Sequence, residues 1–204
     1  MSVEKKFWNK KYEQGGISGK GSIGLYRNWK WNQIQIACGL NIDSLIDVGC
    51  GDLSFWNHPL AIKIRRRYGF KYTGIDISDN IIIRNRKAFP KINFIIAPAH
   101  VEQPGLRASV VLCMDLLFHI MDDAEYEMTI ETLCQYTNGC LVIYTWRKNP
   151  FLVQNIVTDG ISQYYRRLGD VKHIFGRNDM KLIRKADVPF DKFGTMYIFR
   201  RILY

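Results

Sequence analysis

The stretch SLIDVGCGD, residues 44–52, decides the fold of this 204-residue chain. An apolar run that stops at two closely spaced glycines is typical of a buried strand entering a tight turn. Gly49 and Gly51 allow the backbone to approach a ligand closely, and the amides of such a turn can face a carboxylate. This stretch therefore predicts a strand followed by a ligand-binding turn.

Outward from this turn, apolar runs alternate with amphipathic segments along most of the chain. Such alternation predicts an α/β fold with a Rossmann-like, doubly wound and mostly parallel sheet, and helices on both faces. The last two strands have only a short DKFG turn between them, which predicts an antiparallel hairpin closing one edge of a seven-stranded sheet. The predicted strands are 44–48, 71–77, 92–97, 109–116, 139–146, 181–190 and 195–203, and the main helices are 25–40, 60–68, 79–89 and 123–136.

Composition and length indicate one globular domain, residues 1–204. No apolar stretch approaches the ~20 residues of a membrane span, and the N-terminus lacks the apolar core of a signal peptide. The five cysteines contain no C-x-x-C pair. They predict reduced thiols in a cytoplasmic protein, with neither disulfides nor a metal site.

The net charge of +10 favours an anionic partner. The basic residues are dispersed, however, over 63–67, 84–87, 166–167 and 200–201. A generally basic, solvated surface and a dedicated anion site both remain open.

A second glycine-rich stretch, GGISGKGSIG at residues 15–24, invites comparison with a phosphate-binding loop. That motif requires a glycine where Gln14 stands and a Ser or Thr where Gly21 stands, and it follows a strand. Here the preceding segment has Phe7, Trp8 and Tyr12 at helical spacing. The phosphate-loop interpretation therefore fails, and the stretch is a loop of another kind.

Two acids stand at the ends of the first two strands, where an open α/β sheet binds its ligand. Asp47 belongs to the first glycine turn, and Asp76 is placed to accept both hydroxyl groups of a ribose. A dinucleotide fingerprint requires a third glycine where Ser54 stands. Asp47 would also repel a pyrophosphate, whereas it suits a ligand with an amino group and a sulfonium centre.

These features resemble the class I S-adenosylmethionine-dependent methyltransferases, from Ser44 to the end of the chain. The resemblance implies S-adenosylmethionine as cofactor and S-adenosylhomocysteine as product. It assigns the D-x-G-x-G motif to the methionine end, Asp76 to the ribose and Ile77 to the adenine. The fourth-strand motif CMDLLFHI, residues 113–120, would border the sulfonium and the substrate. The cofactor residues assigned in this way are Asp47, Gly49, Cys50, Gly51, Asp52, Asp76, Ile77, Ala99, Met114 and Asp115.

The sequence departs from the family pattern at two places. A third glycine often follows in the first turn, where this chain has Leu53, so the turn is expected to be tighter or differently shaped. The family often supplies an acid or amide for the adenine amino group after the third strand. Here the segment is Ala97-Pro98-Ala99-His100, which leaves that role to backbone groups or to His100.

Two residues of the fourth motif are candidate catalytic residues. His119 lies beside the expected methyl position, and an imidazole can deprotonate a hydroxyl group near neutral pH. It can equally be a packing residue. Asp115 can orient the substrate or cap the following helix. Because methyl transfer depends mainly on proximity and orientation, the absence of an unmistakable base does not argue against the family.

Two further segments are expected to cover the site. Residues 1–30, an aromatic helix with the glycine-rich loop, suit a lid that excludes water, or an exposed arm. In the second helix, Trp29, Ile36 and Leu40 are predicted core contacts. Residues 146–178 are expected to form a substrate-side insertion carrying one or two helices. Its candidate substrate residues, which core packing also explains, are Trp146, Arg147, Tyr164, Tyr165 and Arg166.

Three functions are compatible with these residues. The first is methyl transfer to an oxygen or nitrogen of a small-molecule or glycan-like, possibly anionic, acceptor. The second is methylation of RNA, which the charge favours but which lacks an appended RNA-binding module. The third is a non-catalytic protein that binds S-adenosylmethionine and regulates a partner.

Overall fold

The computed structural model describes residues 2–149, 155–158 and 161–202. Seven strands form one sheet in the order β3-β2-β1-β4-β5-β9-β8, and β6 and β7 form a separate pair. Their bounds are β1 Ser44–Val48, β2 Lys71–Asp76, β3 Asn93–Ile96, β4 Ala108–Met114, β5 Thr137–Trp146, β6 Asn155–Thr158, β7 Ile161–Tyr164, β8 Met180–Asp187 and β9 Gly194–Arg201.

The predicted mostly parallel sheet with a C-terminal hairpin is confirmed. β1 pairs in parallel with both β2 and β4, and β9 is antiparallel to both β5 and β8. The chain proceeds from β1 to β2 on one side and returns to add β4 on the other. This reversal opens a crevice at the carboxyl ends of β1 and β4.

Six helices flank the sheet within the described ranges: α1 Val3–Glu13, α2 Gly24–Cys38, α3 Pro59–Arg65, α4 Asp79–Ala88, α5 Asp123–Tyr136 and α6 Lys172–Arg177. Alternate residues of β4 enter different cores, as expected for a strand buried on both faces. Val111 belongs to the core that contains Ile130 of α5, and Leu112 to the core that contains Trp31 of α2. No helix in these ranges has the length and apolar character needed to cross a bilayer.

Helix α2 buries a different face from the one predicted. Trp31 and Ile34 have no exposed surface, whereas 62% of Ile36 is exposed, so the predicted core contact of Ile36 is wrong. Trp29 and Leu40 are partly buried against the same core. The Trp31 ring stacks on Phe55 at 4.9 Å, and its Nε1 donates to the Phe55 carbonyl at 2.7 Å. These contacts set the rotation of the helix.

The described part of the late insertion contains the expected helix, α6, and in addition an unexpected pair of strands. β6 and β7 pair antiparallel, with Ile156 opposite Gln163. A 3-10 turn at Leu168–Val171 leads into the short helix α6, which packs in the same core as Ile130 of α5. β-Branched residues on either side of a T-D-G sequence are a hairpin signal that the helical expectation overlooked.

Candidate functional site

A cavity of about 320 Å³ lies at the carboxyl ends of β1, β2, β3 and β4. Its position matches the crevice expected at the reversal in strand order. Seven of the predicted site residues line it: Gly49, Asp76, Ile77, Ala99, Met114, Asp115 and His119. The predicted residues Asp47, Cys50, Gly51 and Asp52 are not among its described lining residues.

Asp76 is the most precisely held carboxylate of the cavity. Its Oδ2 accepts a hydrogen bond from the Gly51 amide and its Oδ1 one from the Ser78 amide, both at 2.9 Å. Burial raises the pKa of this carboxyl group to about 6, against the effect of those amides. At neutral pH it therefore remains mostly ionised, and each oxygen keeps a lone pair for a ligand hydroxyl group.

The glycine turn after β1 depends on left-handed backbone conformations. Gly49 and Gly51 have φ values of 80° and 53°. The amides of Gly49 and Cys50 both donate to the Ile75 carbonyl, at 2.8 and 3.0 Å, which ties the turn to β2. Leu53 has φ 61° and thus adopts the conformation that glycine favours. An L-residue incurs a cost of roughly 1–2 kcal/mol there.

Asp47 lies behind the cavity. Its Oδ2 accepts hydrogen bonds from Trp56 Nε1 at 2.8 Å and from the Tyr72 hydroxyl at 3.1 Å. Burial raises the pKa of the Asp47 carboxyl group to about 6. These contacts link β1, β2 and the turn, so the geometry supports a structural role better than the expected contact with a ligand amino group.

Asp115 follows β4 with φ 56°, and its carboxylate lines the cavity. The Lys30 ammonium group donates to its Oδ2, and also to the Gly21 carbonyl at 2.9 Å. Asp115 does not cap a helix, since the 3-10 turn at Leu117–His119 has no side-chain cap and α5 is capped by Asp122. It is therefore available to a ligand, with its charge partly balanced by Lys30.

His119 lines the cavity beside the aromatic helix α1. Its ring lies edge-on to Trp8 at 5.5 Å. Burial lowers the pKa of His119 to about 4, although a hydrogen bond with the Ser162 backbone opposes the shift. Within the described part of the chain, its buried Nδ1 has no hydrogen-bond partner. At neutral pH the imidazole is thus uncharged and is better suited to accept a hydrogen bond than to act as a strong base.

Comparisons with known proteins find this fold in solved structures. The sequence matches no protein-family model, and no curated protein matches it. Magnesium protoporphyrin IX methyltransferase from Synechocystis PCC 6803, with bound S-adenosylmethionine, superposes with a TM-score of 0.66 at 18% identity, over 99% of each chain. The 1,6-didemethyltoxoflavin-N1-methyltransferase from Burkholderia thailandensis gives 0.69 at 12% identity, over 97% of this chain and 86% of that one.

The sugar N-methyltransferase KedS8 from Streptoalloteichus sp ATCC 53650 gives a TM-score of 0.66 at 12% identity, over 94% of this chain and 92% of that one. This chain has the class I methyltransferase fold. The resemblance drawn from the glycine turn and the strand order is confirmed at the level of the fold, since all three identities are low.

In this methyltransferase fold the N-terminal segment lies against the cavity. Trp8 and Tyr12 of α1 line it, together with Ser18 and Ser22 of the glycine-rich stretch. The Ser18 amide and hydroxyl group donate to the Asp52 carboxylate at 3.1 and 2.7 Å. A Cβ atom on Gly51 would overlap Ser18 Oγ, so this glycine also allows the segment to rest on the turn. The contacts are those a closed lid requires, and the lid remains a prediction.

The two arginines considered as anion ligands are engaged elsewhere. Arg147 pairs with Asp187, and its Nε donates to the Lys192 carbonyl at 2.9 Å. Arg166 donates to Asp123 at 2.7 Å and to the backbone carbonyls of Ile120 and Met121, at the end of the fourth motif. Trp146, Tyr164, Tyr165 and Arg166 surround a separate, smaller pocket. These residues hold the insertion to the methyltransferase fold and do not line the main cavity.

Sequence reasoning missed two groups of residues. Lys30 was predicted neither as buried nor as part of the site, because a lysine in an amphipathic helix is usually solvated. Glu125 and Thr129 of α5 also line the cavity. Their spacing of four residues places them on one helical face. The sequence shows this spacing, but only the orientation of α5 in the structure shows that this face points to the cavity.

Proposed function

We propose that this chain is an S-adenosylmethionine-dependent methyltransferase that uses an oxygen or nitrogen of a small molecule, including a glycan-like one, as acceptor. The observation that carries the proposal is the Asp76 carboxylate, which two backbone amides orient at the wall of a cavity at the strand-order reversal. A vicinal diol such as that of ribose can donate two hydrogen bonds to one carboxylate.

The cavity residues suit a nucleoside cofactor. Asp76 would hold the ribose, and the apolar side chains around it would face the base. Met114, Asp115 and Gly49 would surround the remainder of the cofactor. The apolar residues of the lining include Val48, Ile75, Ile77, Ala97, Ala99, Leu116 and Ile120.

The cofactor supplies an electrophilic methyl group on a sulfonium centre. The chain's residues have to exclude water and orient the acceptor, which provides most of the acceleration in such a reaction. Trp8 and Tyr12 stack at 5.7 Å beside the cavity and would exclude water. The neutral His119 would accept a hydrogen bond from the acceptor O–H or N–H and so direct a lone pair towards the methyl group.

The charges of the cavity favour a neutral or cationic acceptor over an anionic one. Four carboxylates line it, from Glu4, Asp76, Asp115 and Glu125, and no lysine or arginine does among the described residues. An anionic acceptor would be repelled by these carboxylates, although Lys30 partly balances the charge of Asp115. The neighbours with the same fold include enzymes named for a porphyrin, a toxoflavin precursor and a sugar, which supports a small-molecule acceptor.

Methyl transfer into fractionated extract tests the proposal. Purified protein is incubated with radiolabelled S-adenosylmethionine and cell extract, and the label is followed in small molecules, glycans, RNA and protein. We expect label in the small-molecule or glycan fraction. Label confined to RNA would support the alternative substrate class. Cofactor binding without any labelled fraction would support a regulatory protein, and failure to bind S-adenosylhomocysteine would refute all three.

A further inference from the structure

The segment after β3 lacks the acid or amide that the family pattern supplies for the adenine amino group. This segment, Ala97-Pro98-Ala99-His100, lines the cavity together with Ile77. In that segment only His100 has a polar side chain. The exocyclic amino group of adenine is a donor and requires an acceptor when it is buried.

Helix α5 brings such an acceptor to the same cavity. Glu125 lines the cavity, with its Oε2 3.8 Å from His100 Nδ1 and 47% of its side chain exposed. Thr132, two turns further along α5, donates through Oγ1 to the His100 carbonyl at 3.3 Å. The helix and the segment after β3 are therefore in direct contact, and their relative position is set by the fold.

The position of Glu125 is also fixed locally. Its amide donates to Oδ1 of Asp122, the N-cap of α5, at 2.9 Å. The first turn of a helix stabilises a negative charge through the backbone dipoles. Glu125 therefore presents a carboxylate to the cavity from a helix, next to His100.

We propose that Glu125 reads the adenine amino group, and so replaces from α5 the acid missing after β3. A carboxylate only accepts hydrogen bonds, so it pairs with an amino group and gains nothing from a base that lacks one. His100 lies beside this carboxylate, with its Nδ1 3.8 Å from Oε2. This inference rests on the proposed function, because it assumes an adenosyl ligand in the cavity.

Calorimetric binding of two ligands to two variants tests the assignment. The ligands are S-adenosylhomocysteine and its 6-deamino analogue, in which hydrogen replaces the amino group. The variants are Glu125→Ala and Glu127→Ala, an equal loss of charge at an exposed position of the same helix. We expect the wild-type protein to prefer the amino ligand by about tenfold, the usual value of a hydrogen bond to a charged group. Glu125→Ala should abolish this preference, and Glu127→Ala should retain it.

The possible failures are distinguishable. If Glu125→Ala weakens the binding of both ligands equally, or of neither, Glu125 does not recognise the adenine amino group. That result would refute this inference but not the proposed function. If the wild-type protein binds neither ligand, the proposed function itself is refuted. Since Glu125 is half exposed, the substitution should leave the thermal midpoint unchanged, and circular dichroism on the same samples verifies it.

Discussion

Lys30 has no exposed surface, and its ammonium group donates to Oδ2 of Asp115, the carboxylate at the end of β4. The same ammonium group binds the Gly21 carbonyl at 2.9 Å and lies 3.7 Å from the centre of the Tyr144 ring. Burial lowers the pKa of Lys30, and the Asp115 charge opposes this shift. One buried cation thus joins the glycine-rich segment, helix α2 and the cavity wall.

Removal of this cation should destabilise the protein. Lys30→Met keeps the length of the side chain but leaves Asp115 and the Gly21 carbonyl without their partner. We expect the free energy of unfolding to fall by about 3 kcal/mol, as for other broken buried ion pairs. Urea denaturation measures the change, with Lys63→Met, an exposed helical lysine, as the control. Adding Asp115→Asn should restore part of the loss, and strictly additive effects would contradict the coupling of the pair.

Asp47→Asn should change the pH dependence of stability. Burial raises the pKa of the Asp47 carboxyl group from its usual 3.8 to about 6, so the folded protein binds the proton more tightly than the unfolded chain. The stabilisation from protonated Asp47 is therefore complete below pH 4 and is lost as the pH rises through 6. The loss is about 3 kcal/mol at most, by linkage.

Thermal or urea unfolding at pH 4 and pH 7 measures this effect as the difference in stability between Asp47→Asn and the wild type at each pH. Asparagine keeps an acceptor for Trp56 Nε1 but does not titrate, so the stability of Asp47→Asn relative to the wild type should rise from pH 4 to pH 7. The exposed Asp43→Asn should follow the wild-type profile. Parallel curves for Asp47→Asn and the wild type would show that the carboxyl group titrates normally.

Asp76→Asn should weaken the binding of S-adenosylhomocysteine by about tenfold or more, because a charged acceptor of two hydrogen bonds becomes a neutral one. Asparagine retains one acceptor for the amides of Gly51 and Ser78, and so disturbs the turn less than alanine would. Calorimetry on Asp76→Asn and on Asp43→Asn gives the comparison. Unchanged affinity in Asp76→Asn would refute the ribose assignment.

Ser18→Ala should loosen the N-terminal segment. The Ser18 hydroxyl group donates to Asp52 at 2.7 Å and accepts from the Asp52 amide at 3.0 Å. Without it we expect faster tryptic cleavage after Lys20 and faster dissociation of S-adenosylhomocysteine, with little change in the thermal midpoint. Limited proteolysis with and without the ligand measures the first effect. Equal cleavage rates in wild type and variant, with no protection by the ligand, would contradict a lid.

Much of the fold follows from the sequence because its signals are local. Apolar runs stopped by glycines locate the strands, and the D-x-G-x-G motif and Asp76 are set by their positions at the carboxyl ends of β1 and β2. In parallel strands these positions meet at one edge of the sheet whatever the details of packing. For this reason Gly49, Asp76, Ile77 and Met114 all line the cavity, and their contact with a cofactor stays a prediction.

The sequence by itself determined the order of the seven strands of the main sheet, their mostly parallel arrangement and the edge at which the cavity opens. Only the tertiary structure showed that Asp47 is hydrogen-bonded to Trp56 and Tyr72 behind the cavity, and that Glu125 of α5 lines it. It also decided that Lys30 is buried and Ile36 exposed. Helix rotation and side-chain direction depend on packing between elements far apart in the chain, which no local pattern encodes.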